Sequence, residues 1–350
     1  MKLFLIKIVR EMIYDKFALP ILMLLVAIIN ALKMNSFTKK IFTIIYVGLA
    51  LAACQKDEPV QIDKLIWTSI HVSGKSRSGD AHLLSLPDGT FFLIDTGYEE
   101  FTETDLLPSL DKLGVSKLTG VLITHAHKNH YGGLLKLAQR YPIETVYFNV
   151  PDDAICLKEI KYKRCDPEHI ATMMSEVSKL SKVVQLKSGD RLIDLVDHRL
   201  QLDVVHHSDS AEEPFLENRA GKKRFSVNDS SIVSRLSYGD MSILFPGDAG
   251  SFIGKYLSDN LSSQLDSTLL AAPHHGVNDM PGNSFLDAVS PELIVVSISP
   301  PPFAGQRGKA LRDYARNVDI PLYVTGYGGS VSIEMNHEKY WVTSGKALNN

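Results

Sequence analysis

"VLITHAHKNHYGG", residues 121–133, decides how the chain is read. "VLIT" reads as the end of a buried strand, and "YGGLLKLAQRY" (131–141) has the apolar spacing of a helix. Between them His125, His127 and His130 fall within six positions. On extended backbone, residues two apart share a face, so His125 and His127 can point the same way. His130 opens the following helix. A lone histidine usually packs or faces water. Three neutral imidazoles converging at a strand end suit zinc or another transition metal. Lys128 and Asn129 stand where many sites of this shape carry a carboxylate. Lys128 reads as a solvated turn residue, or as a cation that attracts phosphate or carboxylate.

Two further strand ends add ligand types. "ILFPGDAG" (243–250) places Asp248 after an apolar run, and "LLAAPHHGV" (269–277) places His274 and His275 after another. Adjacent strand residues face opposite ways, so one of His274 and His275 is expected to be a direct ligand. The other is expected behind it or in catalysis.

Outward from these motifs, short β-rich runs alternate with helical pieces. Strands are predicted at "LIWTSIHV", "AHLLSL", "FFLID", "TVYFN", "LQLDVV", "SIVSRLSY", "MSILF", "LIVVSIS", "PLYVT" and "SVSIEM". Helices are predicted at "PEHIATMMSEVSKLSK", "SFIGKYLSD", "NSFLDAVS" and "KALRDYARN". The polar stretch 206–228 reads as a long surface loop. This order, with paired strands at both ends, suggests two sheets covered by helices.

These segments, in this order, resemble the metallo-β-lactamase fold superfamily, and within it the extracellular hydrolase domain of ComEC-type DNA-uptake proteins and their stand-alone relatives. "GDAHLLSLPDGTFFLIDTG" (79–97) resembles the opening hairpin, and "THAHKNHYGG" (124–133) the H-x-[HD]-x-D-H-x-G-G motif. "NDSSIVSRLSYGDMSILFPGDAG" (228–250), "APHHG" (272–276) and "YVTGYGGSVSIEM" (323–335) follow in the same order. The resemblance spans residues 64–342 and implies an α/β four-layer αββα sandwich of two mixed sheets, with one or two divalent ions at one edge, zinc or manganese.

Carried over by position, it implies that His125 and His127 hold one ion and that Asp248 bridges. Asn129, His130 and one of His274 and His275 take the second position. Asn228 lines the site, and Asp95 stands behind the histidine loop. Asn129, Asp248 and His275 are the expected catalytic residues. Two departures stand out: Asn129 replaces the family aspartate, and "SISPPPFAGQRG" (297–308) lacks the histidine that relatives often carry there. Of the other histidines, His82 packs or faces the site. His206 and His207 read as a loop start. His71, His169, His198 and His337 have no evident partner.

The N-terminus has its own pattern. Phe17–Leu32 is an uncharged apolar run between Lys16 and Lys33, slightly short for a membrane span. From Met34, Lys39 and Lys40 precede an apolar stretch and "LAAC" (51–54), the layout of a signal segment with a lipoprotein-type box. Expected organisation is therefore an upstream extension (1–33), a signal (34–54) cleaved before an acylated Cys54, a tether (55–63) and one domain (64–350). A hairpin of two membrane helices is the competing reading. The expected location is the cell envelope, periplasm-facing or surface-exposed, at the outer membrane. Cys156 and Cys165 can pair outside the cytoplasm or stand as free thiols. A net charge of −3 gives no footprint for stable nucleic-acid binding. The expected function is an envelope-anchored metal-dependent hydrolase of a phosphodiester, nuclease-like. The alternatives are a hydrolase of an ester, lactone or amide, or a degenerate ligand-binding member.

Overall fold

The computed structural model describes residues 64–348, except 73, 75, 76, 78, 152, 158, 160–164 and 209–225. The apolar run, the signal, Cys54 and most of the polar loop lie outside the described residues.

Sixteen strands form two eight-stranded sheets among the described residues. The first holds β1 (Leu65–Ser69), β2 (His82–Ser85), β3 (Phe91–Ile94), β4 (Leu118–Ile123), β5 (Ile143–Phe148) and β6 (Lys182–Val184), with β14 (Val331–Met335) and β15 (Tyr340–Ser344). Its order is β15-β14-β1-β2-β3-β4-β5-β6. The second holds β7 (Arg191–Leu195), β8 (Leu200–His206), β9 (Val233–Tyr238), β10 (Met241–Phe245), β11 (Leu269–Ala271), β12 (Leu293–Val296), β13 (Leu322–Val324) and β16 (Ala347–Leu348). Its order is β16-β13-β12-β11-β10-β9-β8-β7. Each sheet is mixed: β3 to β6 run parallel, as do β10 to β13, and the flanking strands are antiparallel.

Three apolar layers hold the four structural layers together. Trp67, Leu84, Phe92 and Leu122 from the first sheet meet Leu202, Leu236, Phe245 and Leu293 from the second. Trp67 packs edge-on against Phe245 with ring centroids 5.3 Å apart, an arrangement worth about 0.5–1.5 kcal/mol beyond its buried area. The outer face of the first sheet is covered by Leu107–Lys112, Leu134–Arg140 and Pro167–Val177, through Leu110, Leu137 and Ile170. The outer face of the second is covered by Ser251–Asn260, Asn283–Val289 and Lys309–Asn317, through Leu257, Phe285 and Leu311. The result is the expected αββα sandwich. No helix among the described residues is long and apolar enough to cross a membrane.

The helix at Pro167–Val177 starts where Pro167 fixes the first turn and the Asp166 side chain accepts from His169 N. Cys156 and Cys165 form a disulfide, which settles the two readings of that pair. His198 and His337 turn out to be partners: His337 Nε2 donates to the His198 carbonyl at 2.9 Å, far along the chain.

Candidate metal centre

The parallel strands place their carboxyl ends at one edge, and the ligand-type residues follow those ends. Asp95 follows β3, His125 follows β4, Asp248 follows β10 and His275 follows β11. Because β2 runs antiparallel to β3, with His82 opposite Ile94, its entry carries Asp80 to the same edge. Gly97 N donates to the Asp80 carbonyl at 2.8 Å and locks that approach. The two glycines of the histidine motif are needed for contact. A Cβ at Gly132 would sit 2.4 Å from the Lys128 carbonyl, and one at Gly133 would sit 2.6 Å from the Thr96 carbonyl.

The imidazoles are held with one nitrogen turned inward. Asp95, at φ 60°, accepts from Thr124 N and Thr124 Oγ1 at 2.8 Å each. It also accepts from His130 Nδ1 at 2.7 Å. A carboxylate only accepts, so Nδ1 carries the proton and, in the neutral ring, His130 Nε2 keeps its lone pair. Thr124 gives its hydroxyl proton to Asp95, so its oxygen takes His125 Nδ1–H at 3.1 Å and frees His125 Nε2. His127 Nε2 donates to Glu159 Oε2 at 2.8 Å, leaving Nδ1 free, 3.1 Å from His125 Nε2. His275 Nδ1 donates to the Ser297 carbonyl at 3.1 Å, which leaves its Nε2 as an acceptor, 2.9 Å from the Asn129 amide.

All four inward-facing nitrogens converge around one buried carboxylate. Asp248 Oδ1 lies 3.3 Å from His130 Nε2 and 3.4 Å from His275 Nε2, and Oδ2 lies 3.7 Å from His125 Nε2. Two groups able to hold an ion share this residue: His125, His127 and Asp248; and Asp80, His130, Asp248 and His275. His130 Nε2 and Asp248 Oδ1 are buried with no hydrogen-bond partner among the described residues. Such orphans are costly unless something outside the protein satisfies them. Imidazole nitrogens and carboxylate oxygens are the donors that divalent transition metals take, so the residues fit the metal.

Charge is balanced tightly here. Burial works against ionising Asp248 and Asp80, but the surrounding imidazoles, His275 foremost, outweigh it. Asp248 is held well below the usual carboxylate range, and Asp80 at about 2. Burial also opposes charge on His130 and His275, yet Asp248 beside both, with Asp95 and Asp80, raises both above the ordinary imidazole value. His125, buried and facing His130, is pushed well below it.

Several expectations change. His274 and His275 do not alternate on a strand. They lie in a tight turn with φ of 49° and 54°, a left-handed pair that sends both rings toward Asp248. His274 Nε2 is 3.9 Å from Asp248 Oδ2 and 3.4 Å from the Asn228 amide. Strand alternation is therefore not what separates the pair: His275 belongs to one of the groups able to hold an ion, and His274 to neither. Such strained backbone persists where the surroundings enforce it. Asn129 Nδ2 lies 2.9 Å from His275 Nε2, so the residue is inside the site although it brings no charge. The loop lacking a histidine contributes the Ser297 carbonyl instead. His82 packs on Trp67 and Phe245 with Nε2 3.6 Å from Asp80. His206 bonds Ser208 and His207 reaches Asn149. Asp80 and Glu159 escaped the sequence reading as site residues. Asp80 supplies, at His130 and His275, the negative charge that position 129 lacks.

The sequence family described as "Metallo-beta-lactamase superfamily" matches residues 76–159, the stretch from the opening hairpin through the histidine motif to Glu159. The chain carries a metallo-beta-lactamase superfamily domain. Competence protein ComA of Neisseria gonorrhoeae is 27% identical over 210 residues, 59% of this chain and 23% of that protein. ComE operon protein 3 of Bacillus subtilis (strain 168) is 23% identical over 195 residues, 56% of this chain and 22% of that protein. The chain thus spans less than a quarter of either relative. Among solved structures, Tm1679, a metal-dependent hydrolase of the beta-lactamase superfamily, overlaps 80% of this chain and 99% of its own, with 15% identity and a TM-score of 0.46. Igni18, a metallo hydrolase from Ignicoccus hospitalis, overlaps 77% and 100%, with 15% identity and a TM-score of 0.43.

Proposed function

We propose that this metallo-beta-lactamase superfamily domain is a metal-dependent hydrolase of phosphodiesters, tethered to the cell envelope through acylated Cys54. The observation that carries the reading is the set of four imidazoles whose inward-facing nitrogens converge on Asp248, each held in its tautomer by an acceptor behind it. His125, His127 and Asp248 would hold one divalent ion, with Asp80, His130, His275 and Asp248 around a second. Held there, a divalent ion brings the ionisation of water toward neutral pH and polarises the bond under attack. Asp248 sits between the two groups and fixes their spacing. Asn129 sets its amide against His275 Nε2 and cannot act as a carboxylate base.

The mouth of the site favours an anionic substrate. A cleft of about 750 Å³ opens beside Asn129, lined by the cations Arg77, Lys128 and Lys136 and by the acids Glu99 and Glu100 among others. Its cations rest on exposed acids, Arg77 on Glu100 at 2.8 Å and Lys128 on Asp166 at 3.9 Å. Exposed pairs of this kind are worth about 0–1 kcal/mol, so a phosphate can take them over at little cost. The test is hydrolysis of bis-p-nitrophenyl phosphate by the detergent-solubilised full chain with added Zn or Mn, beside ester, lactone and amide substrates. Turnover of the phosphodiester is expected; a metal-loaded protein acting only on one of the other classes overturns the substrate assignment. Labelled fatty acid should enter the wild type and not Cys54→Ala; equal incorporation overturns the anchor.

A further inference from the structure

We infer that Glu159 is a positioning residue for the metal centre: it sets the tautomer and orientation of His127 and fastens the two lips of the site together. The inference rests on the metal reading above and adds a part supplied from outside the histidine motif.

Glu159 is largely buried, and each of its oxygens has a separate task. Oε2 accepts from His127 Nε2 at 2.8 Å. Oε1 accepts from Val227 N at 3.1 Å, next to Asn228, which faces His274. One carboxylate therefore spans from the loop after β4 to the segment that enters β9. Two links fix where it stands. Glu159 N donates to the Cys156 carbonyl at 2.9 Å, and Cys156 is bonded to Cys165. Both cysteines are buried with Ile170, Met173 and Val227 in the layer on the outer face of the first sheet. The disulfide closes the chain segment that carries the carboxylate.

The chemistry follows from the two imidazole nitrogens. In a neutral imidazole one nitrogen donates and the other accepts. With Glu159 taking the Nε2 proton, Nδ1 keeps its lone pair and lies 3.1 Å from His125 Nε2, where the two would hold an ion between them. Without that acceptor, both tautomers become available and the ring is free to turn. A carboxylate behind a ligating histidine also raises the basicity of the nitrogen facing the metal, and its loss typically costs about 10–100-fold in affinity.

The experiment titrates Co(II) into the metal-free, detergent-solubilised full chain against a competing chelator, and records the visible absorption of the bound ion. Glu159→Ala should weaken binding by roughly 10–100-fold and change the absorption bands, because His127 no longer presents Nδ1 alone. Glu159→Gln keeps one acceptor oxygen for His127 Nε2 but loses the charge and the bond from Val227 N, so its affinity should fall between wild type and Glu159→Ala while the wild-type bands are kept. Thermal unfolding of the metal-free forms identifies any variant that has lost the fold, and the Gln variant then decides. Wild-type affinity and bands in Glu159→Ala overturn the inference, as does a Gln variant as weak as the Ala variant. A folded wild type that binds no Co(II) overturns the metal reading instead.

Discussion

Asp95 Oδ2 stands 2.7 Å from His130 Nδ1, and the same carboxylate bonds the backbone and hydroxyl of Thr124, the residue that receives His125 Nδ1–H. One buried aspartate therefore sets two ligand tautomers at once, His130 directly and His125 through a hydroxyl. Asp95→Asn can turn an amide N–H toward His130 and reverse that tautomer. The expected result is a loss of metal affinity of about 10–100-fold with the αββα fold retained. Chelator competition measures the affinity and far-ultraviolet circular dichroism the fold.

Asn129 touches His275 Nε2 without contributing charge. Asp80 and Asp248 must then balance the second group of ligands. Asn129→Asp adds a carboxylate where the amide now lies. It should raise retained ions toward two per chain and raise phosphodiester turnover, both read in parallel by elemental analysis and a chromogenic assay. A wild type that already holds two tight ions, unchanged in the variant, means that the asparagine is a competent ligand-site residue.

His206 is buried against Tyr256 and Ser208, away from the ligand set named above. Burial foremost, and His207 beside it, push its pKa down to about 4. Unfolded, the ring protonates near 6.5, while the native ring stays neutral until about pH 4. The unfolded state thus binds more protons in that window, and stability falls as pH drops through it. The contribution is about 3 kcal/mol over the window. His206→Gln should flatten the dependence of denaturant midpoint on pH between about 6.5 and 4. A slope identical to wild type contradicts the assignment.

The parts of this molecule that could be read from sequence are those whose signal is local. "THAHKNHYGG" crowds three imidazoles and two obligatory glycines into ten residues, so both the ligands and the tight turn show in one line. Asp80 lies in "GDA", where no neighbour in sequence marks it as a ligand, because its partners His130 and His275 come from other strand ends. Glu159 carried no signal: it sits in polar "LKEIKYK", 32 residues from the histidine it serves. The left-handed turn at His274 and His275 is equally silent, since its backbone is imposed by the packing around it. The unpredicted strands β6, β7, β15 and β16 are the four edge strands of the two sheets, with partly or fully exposed residues, and they lack the alternation of a half-buried strand.

The central claim is that Asp248 is the residue shared by the two groups of metal ligands, and ion content tests it most directly. Elemental analysis after dialysis should find ions bound to the wild type and to His337→Ala, whose ring packs on Tyr238 and bonds the His198 carbonyl. Asp248→Ala should lose nearly all of them, because both groups lose their common carboxylate. Equal ion content in the three proteins would contradict the metal centre drawn here.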